Sequence, residues 1–234
     1  MKSVKTLDDE LDLLKELTSP LPILNMQAAA ALPFSDRLEA SQAVEALLPL
    51  LAHDSPGLRA VAAWALGSLG PAATLAVPPL TKLLTDSQCN VDCFAIDALK
   101  RIASDTILDS MAPRSVCGLS MSARLAQARV DNAQSRRVDM IVPISLVALR
   151  SWNFNERVQA LRTLTVLEEG AHLLLPTTGL SLFDPHRLVR LSAIMTIRRI
   201  GLPEHVIRAR IIAMGHDPDQ LVRQMIANTM KEPK

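Results

Sequence analysis

Aromatic residues are scarce in this chain of 234 residues, which has four Phe, two Trp and no Tyr. Hydrophobic residues nevertheless make up 49% of it, so Ala, Leu, Ile, Val and Met carry the apolar content. Ala, Leu and Met are strong helix formers, and this composition predicts an all-α protein. The shortage of aromatic rings leaves little to stack on bases, so nucleic-acid binding is disfavoured.

Cysteine is also sparse, with three residues at positions 89, 93 and 117. An odd number in a chain of this size predicts no disulfide framework and a reducing, cytoplasmic location. Cys89 and Cys93 could share one helix face, but two thiols without a nearby His or second pair make a poor zinc site. The chain begins without an apolar segment behind a basic start, so we expect no secretory signal.

Catalytic motifs are lacking too. The sequence has no Gly-rich phosphate loop, no nucleophile elbow, no His-Glu-x-x-His and no Cys-x-x-Cys. Each of these places reactive or phosphate-binding groups at a fixed spacing. We therefore predict no catalytic, cofactor-binding or metal-binding residues, and a protein that is not an enzyme.

Two long stretches without charge, residues 17–35 and 60–81, are the only candidates for membrane spans. The second is long enough to cross a bilayer, which takes roughly 20 apolar residues. Proline and glycine interrupt both stretches, which divides them into lengths typical of buried helices. We predict no membrane insertion.

Charge is unevenly distributed along the chain. Residues 1–116 hold 9 basic and 14 acidic residues, a net charge of −5, whereas residues 117–234 hold 16 and 10, a net charge of +6. Such asymmetry can steer an acidic partner to the C-terminal half. The alternative is that surface charge drifts without consequence.

A repeat of about 33 residues runs through the sequence. Residues 54–86 show it most clearly, as a helix, a Gly-Pro turn and a second helix. Three aspartates each lie just before a predicted helix, which their side chains could cap: Asp54, Asp184 and Asp217. Proline directly follows the last two. Equivalent positions of successive repeats, 32 or 33 residues apart, mostly hold arginine, and we call them the arginine column: Arg59, Asp92, Arg124, Arg157, Arg190 and Arg223.

This unit resembles the HEAT repeat, in particular the short bacterial HEAT-like repeats of phycobilisome lyases. The resemblance rests on Asp54, Leu58-Arg59, Ala62, Ala65-Leu66-Gly67 and Leu69-Gly70, followed by Ala76-Val77-Pro78 and Leu83-Leu84. It implies an α-solenoid, a right-handed superhelix of about six to seven antiparallel helix pairs. We expect a single domain over 1–234, with an irregular loop or degenerate repeat at about 104–137.

The resemblance also assigns a role to the arginine column. In such families this arginine bonds to the turn aspartate of a neighbouring repeat, forming a ladder that holds the stack together. A row of ligand-binding arginines is the alternative, and Asp92 should interrupt either arrangement. The predicted ladder residues are Asp54, Arg59, Asp86, Arg157, Asp184, Arg190, Asp217 and Arg223.

The second, inner helix of each pair is implied to line the concave surface, where partners bind. Positions five residues after the column should face solvent there, and Trp64 would be an aromatic anchor unless it packs under the next repeat. Arginines near Met195 would add a basic, partly apolar patch. The predicted partner-binding residues are Trp64, Asp97, Arg162, Met195, Arg198 and Arg199.

These observations favour a non-catalytic protein–protein interaction scaffold. Its partner would be another protein or a peptide, acidic where it meets the C-terminal half. One alternative is a phycobilin lyase-like or chaperone-like subunit, which only the repeat type supports. A second alternative is a nucleic-acid-binding HEAT-like protein.

Overall fold

A computed structural model describes residues 13–36, 38–86, 88–103, 121, 123–126, 138–167, 171–200 and 205–231. Every regular element in those ranges is a helix, which confirms the all-α prediction. Contacts divide the chain into two compact units, Met1–Ser120 and Met121–Lys234. Most of the segment 104–137 lies outside the described residues, and its predicted irregularity remains a prediction, as does the single domain.

The first unit consists of short helices joined by tight turns. Its α-helices are α1 (Leu13–Glu16), α2 (Pro22–Ala31), α3 (Ala40–Leu47), α4 (Pro56–Ser68), α5 (Val77–Leu83) and α6 (Cys89–Ile102). Three 3₁₀ segments lie between them, at Leu32–Phe34, Leu48–Ala52 and Gly70–Ala76. Of the prolines in the two uncharged stretches, Pro33 and Pro71 lie in these segments, Pro20 lies between α1 and α2, and the others lie in the first turns of α2 and α5: Pro22, Pro78 and Pro79.

Local sequence sets both ends of α4. The Ser55 side chain accepts a hydrogen bond from the amide of Leu58 at 3.4 Å, and Pro56 occupies the first helical position. Serine satisfies a free amide there, and proline has none to satisfy. After the helix ends, Gly70 has φ of +58°, a left-handed conformation that glycine adopts without steric cost.

Helices α2, α4 and α6 pack side by side. Small residues bring α4 and α6 close together: a Cβ added at Gly67 would lie 2.7 Å from Ala98 Cα. Leu66, next to this contact, has no exposed surface. The second helices of successive pairs therefore form a tightly packed layer within this unit.

The second unit repeats the arrangement with α7 (Val138–Ala148), α8 (Phe154–Leu164), α9 (Leu175–Leu180), α10 (Arg187–Ile200), α11 (His205–Ala213) and α12 (Gln220–Lys231). Short 3₁₀ segments occupy Ala171–Leu174, Ser181–Phe183 and Met214–His216. Helix α10 packs between α8 and α12. Its buried side chains, among them Ile194 and Ile197, join one apolar core with Leu161 and Val222.

This stacking of helix pairs is that of an α-solenoid within each unit. Among the helices described, none combines the length and apolarity that crossing a membrane requires.

Candidate functional site

The arginine column and the turn aspartates meet in the structure. Arg59, near the start of α4, donates from Nε to Asp86 Oδ2 at 2.8 Å and from Nη2 to Asp86 Oδ1 at 3.0 Å. Its Nη1 donates to the carbonyl oxygens of His53 and Asp54 at 2.8 and 2.9 Å. One guanidinium thus joins the turn before its own helix to the turn before the next.

Two arginines of the second unit make the same set of bonds. Arg157 binds Asp184 at 2.7 and 2.8 Å, and Arg190 binds Asp217 at 2.7 and 2.9 Å. Bidentate geometry of this kind is stronger and more directional than a single charged contact. The pairs are well shielded, with side-chain exposure of 10% and 5% for Arg190 and Asp217.

Each of these aspartates also holds the turn that leads into the following helix. Its Oδ1 accepts from the amide two residues on, at 3.0 Å for Asp86, 2.8 Å for Asp184 and 2.9 Å for Asp217. That amide belongs to the residue before the helix, so the prediction that Asp184 and Asp217 cap helices is wrong. Helix α12 is capped by Asp219, whose Oδ1 accepts from the amides of Leu221 and Val222 at 2.9 and 3.2 Å. Burial alone would raise the pKa of Asp86 and Asp217. The hydrogen bonds from the arginine and the amide, together with the arginine charge, outweigh burial and hold both pKa values below the ordinary one.

The expectation that Asp54 contributes a carboxylate to this ladder is wrong. Asp54 is exposed, and Arg59 binds its carbonyl oxygen and not its side chain. The position equivalent to Asp86, Asp184 and Asp217 is held by His53, whose Nδ1 accepts from the amide of Ser55 at 3.0 Å. Histidine therefore makes the turn at this position without offering a carboxylate.

Trp64 is buried, with 8% of its surface exposed. Its ring lies 6.0 Å from that of Phe34, centroid to centroid, at an angle of 35°. The prediction that Trp64 faces solvent is therefore wrong. Asp97, at the equivalent position of α6, is half-buried in the same unit.

The other predicted partner-binding residues lie together in the second unit. Arg162 on α8 and Met195 and Arg199 on α10 are exposed, while Arg198 is half-buried. The side chain of Thr196 donates to the carbonyl of Leu161 at 3.2 Å, and Arg199 Nε donates to the carbonyl of Thr165 at 3.0 Å. The C-terminal turns of α8 and α10 are thus adjacent.

Two exposed leucines extend this face and were not predicted. Leu188 on α10 and Leu221 on α12 are 43% and 55% exposed, and Met195 is 58% exposed. Arg187 and Asp219 join the first turns of the two helices by a 3.3 Å ion pair. We call Leu188, Met195 and Leu221 the apolar row. The 33-residue spacing of the two leucines is the sequence signal that could have identified them.

Trp152 is the exposed tryptophan, at 102% of its reference area. It lies in the turn before α8, where its carbonyl accepts from Arg157 at 3.1 Å. The corresponding turns have Pro185 and Pro218. Trp152 was not predicted as a binding residue.

The described part of the chain holds no group of three or more His, Cys, Asp or Glu that could bind a metal ion. Cys93 is buried in α6. Cys117 and the side chain of Cys89 lie outside what the structure describes, so the expectation that Cys89 and Cys93 form no zinc site stays a prediction.

Part of the chain matches a known repeat family. Residues 10–88 match the family model of HEAT repeats. No curated protein matches the chain. The crystal structure of an engineered protein is 19% identical with a TM-score of 0.34, covering 96% of this chain and 95% of that one. Human deoxyhypusine hydroxylase in complex with glycerol is 18% identical with a TM-score of 0.35, covering 93% and 82%.

Proposed function

We propose that this HEAT-repeat protein is a non-catalytic scaffold that binds a partner protein or peptide on the exposed face of α8, α10 and α12. The observation that carries the proposal is the apolar row, bordered by Arg162 and Arg199. The second helices of the pairs provide this face, in the part of the chain with net positive charge. The odd number of cysteines in the chain supports a cytoplasmic location for this protein.

The apolar row supplies the contact area. Its three side chains remain 43–58% exposed although they lie on helices that are packed against each other. Grouped apolar exposure of this kind marks interaction surfaces more often than single exposed residues do. A partner that covered these residues would remove their apolar surface from water, which contributes about 25 cal/mol of favourable free energy for each Å² buried.

The arginines supply the specificity. Arg162 and Arg199 are exposed beside Met195, and both would attract carboxylates. The positions equivalent to Arg162 on α10 and α12 are Met195 and Asn228, which carry no charge. The partner expected here is an amphipathic segment with apolar residues on one side and acidic residues at its edge.

Capture of partners from a lysate with wild-type protein and with Met195→Asp tests this function. The substitution puts a negative charge in the apolar row at an exposed site, so the fold should persist and a genuine partner should bind at least about tenfold more weakly. Leu75→Asp is the matched control, because Leu75 is 72% exposed in the first unit.

A photo-crosslinker at position 195 identifies the bound segment. The proposal requires a protein that crosslinks at 195, is retained by Leu75→Asp and is lost with Met195→Asp. If Met195→Asp and the control retain the same partners, this face is not the binding surface.

A further inference from the structure

Arg59, Arg157 and Arg190 use their guanidinium groups identically. In each, Nη1 donates to two consecutive carbonyl oxygens of the preceding turn, at 2.8–3.1 Å. The remaining edge, formed by Nε and Nη2, binds both oxygens of an aspartate 27 residues later. The carbonyl contacts therefore orient the edge that binds the carboxylate.

Arg223 makes the first half of this arrangement. Its Nη1 donates to the carbonyl oxygens of Asp217 and Pro218, the counterparts of Asp184 and Pro185 at Arg190. The residue is exposed at the start of α12. Within the described residues, no acceptor bonds to its Nε or Nη2. The guanidinium edge that binds aspartate in the other three arginines therefore remains available in Arg223.

We propose that Arg223 is a binding site for a carboxylate of a partner protein, namely an aspartate in the turn that begins a helix of the partner. The site is separate from the apolar row. Residues 221 and 223 are two positions apart, about 200° around the helix, so Leu221 and Arg223 lie on nearly opposite sides of α12.

Preorganisation is the first argument for this site. An arginine side chain that moves freely in solution loses rotamer freedom when a partner fixes it. Two backbone carbonyls already hold Arg223 in the position that its three counterparts use. A carboxylate arriving at the Nε–Nη2 edge would gain two charge-assisted hydrogen bonds without ordering the guanidinium again.

The nature of the partner follows from the other three sites. There, each bound aspartate also accepts from an amide two residues further on, in the turn immediately before a helix. That helix then packs beside the helix that carries the arginine. A partner aspartate in the same kind of turn satisfies the same geometry, whereas a carboxylate on a straight helix or a strand does not.

The adjoining surface of α12 allows a helix to approach. On α10, Ile194 is one turn after Arg190 and is fully buried. The equivalent residue on α12 is Ala227, which is exposed. A small side chain beside Arg223 lets a partner helix come close, as small residues do between α4 and α6.

Nitrogen-15 NMR of arginine side chains in the full chain tests the proposal. The probe is a peptide that copies residues 214–231, which carry Asp217 and the sequence of α12. We expect the Nε–Hε signal of Arg223 to shift to saturation with this peptide. The same peptide with Asp217→Asn should bind at least tenfold more weakly, and Arg223→Gln protein should not bind it.

Two outcomes would overturn the proposal. One is an equal affinity for both peptides, or no shift with either. The other is a change in the Arg223 signal of peptide-free protein on Glu232→Gln, which would mean that the chain itself fills the edge. Met195→Asp protein should bind the peptide like wild type, so this test and that of the apolar row succeed or fail separately.

Discussion

Arg190 and Asp217, 27 residues apart, are joined by two parallel hydrogen bonds of 2.7 and 2.9 Å and are nearly shielded from water. The same aspartate also accepts from the amide of Asp219 in the turn before α12, and the same arginine binds the turn before α10. This pair therefore ties the turns of two successive repeats together. Loss of this pair should therefore weaken the packing of α10 against α12.

Arg190→Leu should lower the free energy of unfolding by about 3 kcal/mol, because it leaves the shielded Asp217 carboxylate without its counter-charge. Urea denaturation measures this. Arg187→Leu is the matched control on the same two helices, since the Arg187–Asp219 pair is longer, at 3.3 Å, and Arg187 is 59% exposed. It should cost less than about 1 kcal/mol. Equal losses in the two variants would contradict the structural role given to Arg190.

The free energy of unfolding should fall in acid, partly because the carboxylates of Asp86 and Asp217 become protonated. Their pKa values in the folded chain lie below the ordinary aspartate value of about 3.9, so the folded state binds fewer protons than the unfolded state. The stabilisation is therefore complete above the unfolded pKa and is lost as pH falls through the folded pKa. Urea unfolding measured from about pH 5 downward should show a smaller decline in acid for Asp217→Asn than for wild type. An unchanged decline would contradict the prediction.

Gly67→Ala tests the close contact between α4 and α6. The added methyl group would lie 2.7 Å from Ala98 Cα, and overpacking of this kind costs about 1–3 kcal/mol because a helix must move. Gly215→Ala is the control, since a Cβ there meets nothing within 4 Å. Thermal melts should show a clear loss for the first and little change for the second. Similar melting temperatures would mean that α4 and α6 are less closely packed.

The two tryptophans should behave oppositely. Trp64→Ala removes a buried ring that contacts Phe34 and should cost about 3–5 kcal/mol, whereas Trp152→Ala removes an exposed ring and should stay within about 0.5 kcal/mol. Fluorescence gives a second measurement: iodide should quench Trp152 and spare Trp64. Strong quenching that survives Trp152→Ala would show that Trp64 is accessible.

Repetition made much of the fold predictable. Helix caps and turns depend on residues close in sequence, so the elements around Ser55-Pro56 and Asp184-Pro185 could be predicted locally. The bond between the arginine column and the turn aspartates was implied by the resemblance to HEAT repeats. In a stack of similar units, a constant separation along the chain becomes a constant separation in space, so the bond found at Arg157 and Asp184 recurs at Arg59 and Arg190.

Neighbouring residues with similar chemistry could not be told apart in this way. His53 and Asp54 both suit a helix-capping turn, and only the path of the backbone decides which position faces the arginine. Trp64 and Trp152 pose the same difficulty. Trp64 is buried against Phe34, thirty residues earlier, whereas Trp152 is fully exposed.

The sequence by itself determined the repeat and the all-α class, because each depends on local pattern or constant spacing, and its resemblance to HEAT repeats implied the arginine–aspartate pairs. Tertiary structure decided which side chains remain available. The exposure of Met195 and the leucines beside it, and the open edge of Arg223, depend on which helix packs against which face. Which helix packs against which face depends on residues that are distant in sequence, and the residue types along a chain do not specify these contacts.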